Sequence, residues 1–417
     1  MSNAQLSFYG EHIVGSQIIG INNKIKQSNP KCYNYTIGDF DPKVNPIPEH
    51  LELFIKNEYS QHSTNYPMSQ GELSLRGTVS AHLKRVYGIN YTENQILIGA
   101  GVRPLIYTMF KTLVQFGDTV MYPAPSWNND HYTFLQDATK LPIETLPENN
   151  FNLTLGDITN NISKVNLICL CSPQNPTGTM LIKDLKEIMY RVVQENEARK
   201  QTNRRLVYVF FDQIYMGLCD MKNEYHPLNV CPEIFDYLIC VDGISKSLCA
   251  TGVRVGWMMG PDHIIDKATQ IFSHIGAWAP KPEQLALNWY LNIPQHDMFV
   301  NEQRAKYKSI IDQFTNLLDK YKSDGFEYIK PDAGIYLSVK LPYRKITTDM
   351  DFFISYLITE CNIGVVPFDY FGTQNSEWFR LSIGTVNPKD MDQHLANFEA
   401  AILKIKKLAE MVGKSTN

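Results

Sequence analysis

Short, continuous apolar runs separated by longer amphipathic stretches organise this chain. The runs cover residues 95–98, 119–121, 165–171, 206–211 and 237–241. They do not alternate with polar residues, as strands covered on both faces of a parallel sheet need not. Between them, a 3.6-residue period predicts helices over 49–58 and from 71–76 onward, the latter with Leu75, Val79 and Leu83 on one face. A further helix over 184–204 is polar on one side, as an outer layer should be. Residues 1–40 read as polar and turn-rich, and Pro42, Pro46 and Pro48 break the chain after them. Beyond about 290 the pattern becomes helix (301–321), strands near Tyr328 and over 335–339, and a closing helix over 388–412. Leu395, Phe398, Ile402 and Ile405 share one face of that last helix. The expected fold is α/β: a mostly parallel sheet covered by helices in a large domain (43–290). A smaller α+β domain is expected from both chain ends, 1–42 and 291–417.

The 417 residues exceed what one core usually supports, in keeping with two domains. A net charge of -4 gives no reason to expect nucleic acid or an anionic membrane as partner. No apolar run reaches the roughly eighteen residues of a spanning helix. Residues 1–20 lack the basic start and apolar core of a secretion signal. Eight cysteines, among them Cys169, Cys171, Cys240 and Cys249 in or near apolar runs, form no Cys-x-x-Cys pair. A reduced, cytoplasmic setting and no metal site are expected.

The candidate chemistry lies at the ends of the apolar runs, where open α/β sheets place ligands. Lys246 sits among small residues in apolar sequence, with Arg254 eight positions on, in a segment that alternates like a strand. A lysine in apolar surroundings loses stabilisation of its charged form, which frees its amine to attack a carbonyl. A surface lysine with a packed stem is the competing reading. Ile98-Gly99-Ala100-Gly101-Val102-Arg103-Pro104 runs from a strand through a small-residue turn into a helix, which suits an anion. Pro104 stands where a dinucleotide fingerprint needs its third glycine, so that reading is set aside. Trp127, after a proline turn, can stack on a planar ring or merely fill volume. In Ser172-Pro173-Gln174-Asn175-Pro176-Thr177-Gly178-Thr179, two prolines fix the backbone around the amide of Asn175. Asp212 ends an apolar run, and a buried carboxylate there needs a cation such as a protonated ring nitrogen; Tyr215 follows three residues on. Capping of the next turn is the alternative for Asp212. Arg380, between apolar residues in a strand-like segment, can fork onto a carboxylate or join a structural ion pair.

Taken in order, Asn175-Pro176-Thr177-Gly178, Asp212-x-x-Tyr215, Ser245-Lys246 with Arg254, and Arg380 resemble the class I/II aminotransferases of fold type I, the aspartate aminotransferase family, over essentially the whole chain. The resemblance implies pyridoxal 5′-phosphate (PLP) as cofactor, covalently held by Lys246. It implies that Asp212 pairs with the ring nitrogen, Asn175 and Tyr215 bond the ring oxygen O3′, and Trp127 stacks on the ring. The backbone around Ala100, Gly101 and Val102, with Ser245 and Arg254, would bind the phosphate. Tyr66 would reach the phosphate of a neighbouring subunit, implying a homodimer. Arg380, supported by Asn175 and the backbone near Gly38, would bind the substrate α-carboxylate, with Trp127 also lining the substrate site. The chain departs from many relatives at Ala100 and Val102, where a Ser or Thr is common, and at Arg103, Pro104 and Gly243.

The implied activity is transamination between an L-amino acid, with aspartate the leading candidate, and 2-oxoglutarate. Neutral or aromatic amino acids and a PLP-dependent C–S or β-lyase reaction are the alternatives. A regulator of this fold would need a DNA-binding module, for which the residues before Asp39 are neither long nor basic enough. A dicarboxylic substrate needs a second cation, and Arg103 is the candidate; Asn128, Asn129 and His131 are polar alternatives for lining that pocket.

Overall fold

The computed structural model describes residues 5–220, 225–374 and 376–415. Along the chain its strands are β1 (Tyr33–Asn34), β2 (Ile96–Gly99), β3 (Thr119–Ala124), β4 (Thr139–Glu144), β5 (Leu167–Cys171), β6 (Tyr208–Asp212), β7 (Leu238–Gly243), β8 (Gly256–Met259), β9 (Glu327–Ile329), β10 (Tyr336–Lys340), β11 (Ile363–Gly364), β12 (Val366–Pro367) and β13 (Trp378–Ser382). Seven of them form one sheet in the order β2-β8-β7-β6-β5-β3-β4. Pairing is parallel everywhere except at β8, which runs against both β7 and β2.

The five apolar runs are β2, β3, β5, β6 and β7, and their lack of alternation has a direct cause. Ile96, Ile98, Phe211 and Met259 pack into a core on one face of the sheet. Their neighbours Leu97, Phe210 and Met258 pack into a separate core on the other face. Both faces are dry, so neither parity of position can be polar. Two strands lay outside the predicted runs. β4 is an edge strand with mostly exposed positions, so it carries no apolar run. β8 is buried at all four positions, where its segment had suggested alternation.

Helices fall close to their predicted places: Glu49–Ser60, Leu73–Tyr87 with Leu75, Val79 and Leu83 fully buried, and Leu185–Gln201. The helix expected from 301 begins earlier, as Pro294–Asp319, with proline in its first turn, where a missing N–H costs nothing. The closing helix is Met391–Ser415. The turn-rich reading of residues 1–40 is corrected: helices Phe8–His12 and Gln17–Ser28 form there. Ile21 and Ile25, one turn apart, are buried in the second of them, a narrow stripe that its many polar residues mask.

The second assembly is the antiparallel sheet β12-β13-β10-β9. Its core joins Phe314, Phe353, Phe379 and Phe398 from the C-terminal third to Tyr35 and Phe40 from the N-terminal segment. β1 pairs in parallel with β11, so both chain ends build this smaller unit.

Candidate active site

Because the strands of a parallel sheet run the same way, their C-terminal ends deliver side chains to one side. A cavity of about 530 Å³ lies there, lined by residues that follow β3, β5, β6 and β7 and by residues of both chain ends. Lys246, in the short helix Ile244–Ser247 after β7, reaches into it. Its Nζ donates to the carbonyl oxygen of Gly38 at 2.7 Å and lies 5.9 Å from the ring centre of Tyr215. Gly38 has no room for a side chain, since a Cβ would come within 2.5 Å of the Tyr336 hydroxyl.

Asp212 closes β6, and its Oδ1 accepts from the backbone N–H of Ile214 at 3.0 Å. Burial pushes its pKa up to about 6, against the pull of that N–H and of the Lys246 charge. Behind it Asp242, on the adjacent strand, is pushed up to about 8 by burial, although the Gly243 N–H and the Gln213 amide donate to it. A carboxylate so poorly compensated as Asp212, facing a cavity, suits a cationic partner there.

Tyr215 follows in the turn after β6, its phenol pKa raised by burial and by the neighbouring Tyr336. The two hydroxyls are 2.8 Å apart. Asn175 comes from the loop after β5, in which the Ser172–Pro173 and Asn175–Pro176 bonds are both cis. That loop is fastened from two directions. Gln174 Nε2 donates to the Pro125 carbonyl at 2.5 Å, and the Gly178 carbonyl accepts from the N–H groups of Asp332 and Ala333.

Arg380, in the middle of β13, is 2% exposed. Its Nη1 donates to Asn175 Oδ1 at 3.0 Å and its Nη2 to the Thr36 carbonyl at 2.6 Å. The guanidinium lies over the rings of Tyr336 (4.6 Å) and Phe371 (5.0 Å). Among the described residues its Nε has no hydrogen-bond partner. A buried cation held only by neutral groups, with a donor to spare, fits an incoming carboxylate.

The anion end is built by backbone. Gly101 caps the helix Val102–Leu113 at φ 79°, and no side chain caps the free N–H groups of that helix. A Cβ on Gly101 would collide with the Arg254 guanidinium. Arg254, itself at φ 62°, donates to the carbonyls of Thr251 (2.6 Å) and Ala100 (2.8 Å). Ala100 and Gly101 thus stand outside the cavity lining and hold Arg254, whereas Val102, Ser245 and Arg254 line it. Burial and then the nearby Arg103 charge lower the Arg254 pKa. Neither guanidinium has a carboxylate ion-pair partner among the described residues. Two such cations at a helix N-terminus make an anion site. Trp127 lines the same cavity, with the Arg103 guanidinium 4.5 Å from its ring centre.

Tyr66 stands apart from the other predicted residues. It is 83% exposed, lies outside the cavity lining and meets the Trp278 ring edge-on at 5.7 Å. The structure also adds residues that sequence reasoning missed. Ile18, Ile19 and Asn22 of the helix Gln17–Ser28 line the cavity, as do Asp39, Thr251 and Tyr336. Tyr336 carried no signal beyond its place in a strand, and the helix was hidden by its polar composition. Thr251, five residues past Lys246, was legible in principle as a hydroxyl between Lys246 and Arg254.

An amine, a desolvated carboxyl without its cation, a hydroxyl at Tyr215, an aromatic ring and an anion pocket at Arg254 together match the chemical groups of PLP. The sequence profile of the family "Aminotransferase class I and II" matches residues 31–398. The chain belongs to that family. It is therefore a PLP-dependent transaminase. Among its relatives, an aspartate aminotransferase from a Bacillus species is 27% identical over 355 residues, covering 84% of this chain and 86% of the relative. A probable aspartate/prephenate aminotransferase from Rickettsia felis is 28% identical over 83% of each chain. The solved aspartate aminotransferase of Thermus thermophilus with maleate superposes with a TM-score of 0.84 at 22% identity, over 95% of this chain and 100% of that one, a likeness of fold.

Proposed function

We propose that this enzyme moves the amino group of L-aspartate to 2-oxoglutarate, with Lys246, Asp212 and Arg380 as its central residues. The observation that carries the reading is the buried Arg380, its Nε unpartnered, in one cavity with the Lys246 amine and the Asp212 carboxylate. Bound PLP supplies a sink for the electrons released when the substrate Cα–H bond breaks. Asp212 holds the proton on the ring nitrogen by opposing its charge. Lys246 Nζ would hold the cofactor, and the same amine, when free, would carry the proton from the substrate Cα to the cofactor carbon C4′. Asn175 and Tyr215 orient the ring oxygen O3′, and Trp127 covers the ring. Ser245, Arg254 and the Val102 backbone at the helix start would hold the phosphate, with Ala100 and Gly101 positioning Arg254, while Arg380, Asn175 and Gly38 frame the α-carboxylate.

Aspartate is favoured by Arg103, a cation of the cavity wall beside Trp127 with no carboxylate ion pair among the described residues, and by the names of the relatives. A second reading, a neutral or aromatic amino acid, is favoured by the apolar wall of Ile18, Ile19 and Ile37. Values of kcat/KM for aspartate, glutamate, phenylalanine, alanine and methionine decide between them. Aspartate and glutamate are expected to lead, and Arg103→Ala to weaken those two selectively. Phenylalanine or methionine leading, or an equal loss for all five, overturns the dicarboxylate reading.

The division into 1–42, 43–290 and 291–417 is our reading of where the two cores part, testable by limited proteolysis near residues 42 and 290. We also read the protein as a homodimer in which Tyr66, exposed on its own subunit, serves the neighbouring phosphate site. No helix among the described residues is long and apolar enough to cross a membrane. All eight cysteines are free, which favours a reduced, cytoplasmic setting. Recovery of the protein with membranes or outside the cell on fractionation would count against that.

A further inference from the structure

Tyr336 has no role in the assignments above, yet it touches three of the groups that have one. Its hydroxyl lies 2.8 Å from that of Tyr215. Its ring lies 4.6 Å from the guanidinium carbon of Arg380. The close approach of the same hydroxyl excludes any side chain at Gly38, whose carbonyl holds the Lys246 amine. Tyr336 is 1% exposed, and it is placed from β10 while Arg380 comes from the adjacent β13 in register with Ser338.

The chemistry of these contacts is directional. A phenol has one proton to donate. If Tyr215 is to spend its proton on the cofactor's ring oxygen, the bond between the two hydroxyls must be donated by Tyr336. Receiving that bond polarises the Tyr215 hydroxyl and makes it a stronger donor in turn. The other end of Tyr336 responds to charge. The face of an aromatic ring is negative and stabilises a cation above it. Arg380 is held there by ring faces, an amide and a carbonyl, without a carboxylate ion pair among the described residues. A substrate carboxylate on Arg380 neutralises that charge directly above the ring whose hydroxyl feeds Tyr215.

We propose that Tyr336 is a positioning residue that links the carboxylate site at Arg380 to the cofactor-facing hydroxyl of Tyr215. It touches the groups that touch the ligands, and it acts through them. The proposal rests on the PLP, Tyr215 and Arg380 assignments made above.

The test uses holoenzyme and two variants. Tyr336→Phe keeps the ring beneath Arg380 and deletes the hydroxyl; Tyr336→Leu deletes both. The readout is the pH titration of the lysine-bound cofactor's visible absorbance, alongside kcat and KM for the amino acid. Donation from Tyr215 favours the anionic ring oxygen, so a weaker donor lets the chromophore keep its proton to higher pH. Tyr336→Phe is expected to raise the titration midpoint by roughly half a pH unit. It is also expected to lower kcat several-fold and leave KM within about twofold of wild type. Tyr336→Leu is expected to raise KM at least fivefold in addition. A Tyr336→Phe enzyme with the wild-type midpoint and kcat overturns the proposal. So does one that raises KM as much as Tyr336→Leu without moving the midpoint, or one that fails to hold cofactor when wild type holds it. Absence of any lysine-bound chromophore in the wild-type protein would instead bring down the assignments on which the proposal stands.

Discussion

Lys246 Nζ donates a 2.7 Å hydrogen bond to the carbonyl of Gly38, 208 positions earlier in the chain. The amine is thereby aimed across the cavity from the end of β7 toward the N-terminal segment. Borohydride reduction of the holoprotein should fix PLP on Lys246, and peptide mapping should find it on no other lysine. Lys246→Ala should retain at most weak, non-covalent cofactor. Label on another lysine would refute the assignment.

The Asp212 carboxyl is raised to about 6 by burial, which sets a pH dependence for the cofactor-free protein. A raised carboxyl favours the fold while protonated. Its contribution is complete below the unfolded value near 4 and is lost as pH rises through about 6. Cofactor-free wild type should therefore lose stability between about pH 4 and 6, as followed by thermal melting. Cofactor-free Asp212→Asn should lose less over that interval and melt higher than wild type at pH 8. Its transamination should fall by about a thousandfold or more, since the ring nitrogen loses its counter-charge in a dry site. Equal melting temperatures at pH 8, or near-normal turnover, would contradict this account.

Gly101 sits at φ 79° against the Arg254 guanidinium. Alanine there is strained by its backbone and displaces the arginine. Gly101→Ala should weaken PLP binding at least tenfold, while binding of pyridoxal, which lacks the phosphate, changes far less. Equal losses for the two ligands in an equilibrium titration would mean that the substitution harms the site generally.

Tyr66 makes its ring contact with Trp278 and otherwise projects into solvent. If a second subunit covers it, sedimentation should give a two-fold dimer. Tyr66→Phe should then raise the cofactor's Kd several-fold without altering the melting curve of the cofactor-free protein. A monomer that keeps full activity at nanomolar dilution would rule this out.

What could be read from the sequence follows the physics of each element. β2, β3, β5, β6 and β7 were legible because burial on both faces leaves only apolar residues in them. β4 was not, because an edge strand with solvent on it has no such constraint. Lys246, Asp212, Asn175 and Arg380 stood out as polar residues at the ends or in the middle of apolar segments. The helix Gln17–Ser28 was lost because two buried isoleucines suffice to dock it. Tyr336 was lost for a different reason. A tyrosine in a strand has an ordinary packing role by default, and only the approach of β10 to the turn after β6 brings its hydroxyl to Tyr215.

The pairing of β1 with β11 also bears on how the protein is made. Residues 33–34 are synthesised some 330 residues before their sheet partners at 363–364. At roughly ten residues per second, the N-terminal segment waits about half a minute for that partner. Once residue 246 has been made, and until β13 follows, the nascent chain holds Lys246 and Asp212 but lacks the strand that carries Arg380. Catalytic competence therefore requires that synthesis pass β13, and a ribosome stalled between Lys246 and β13 leaves a product with the cofactor lysine but no carboxylate site.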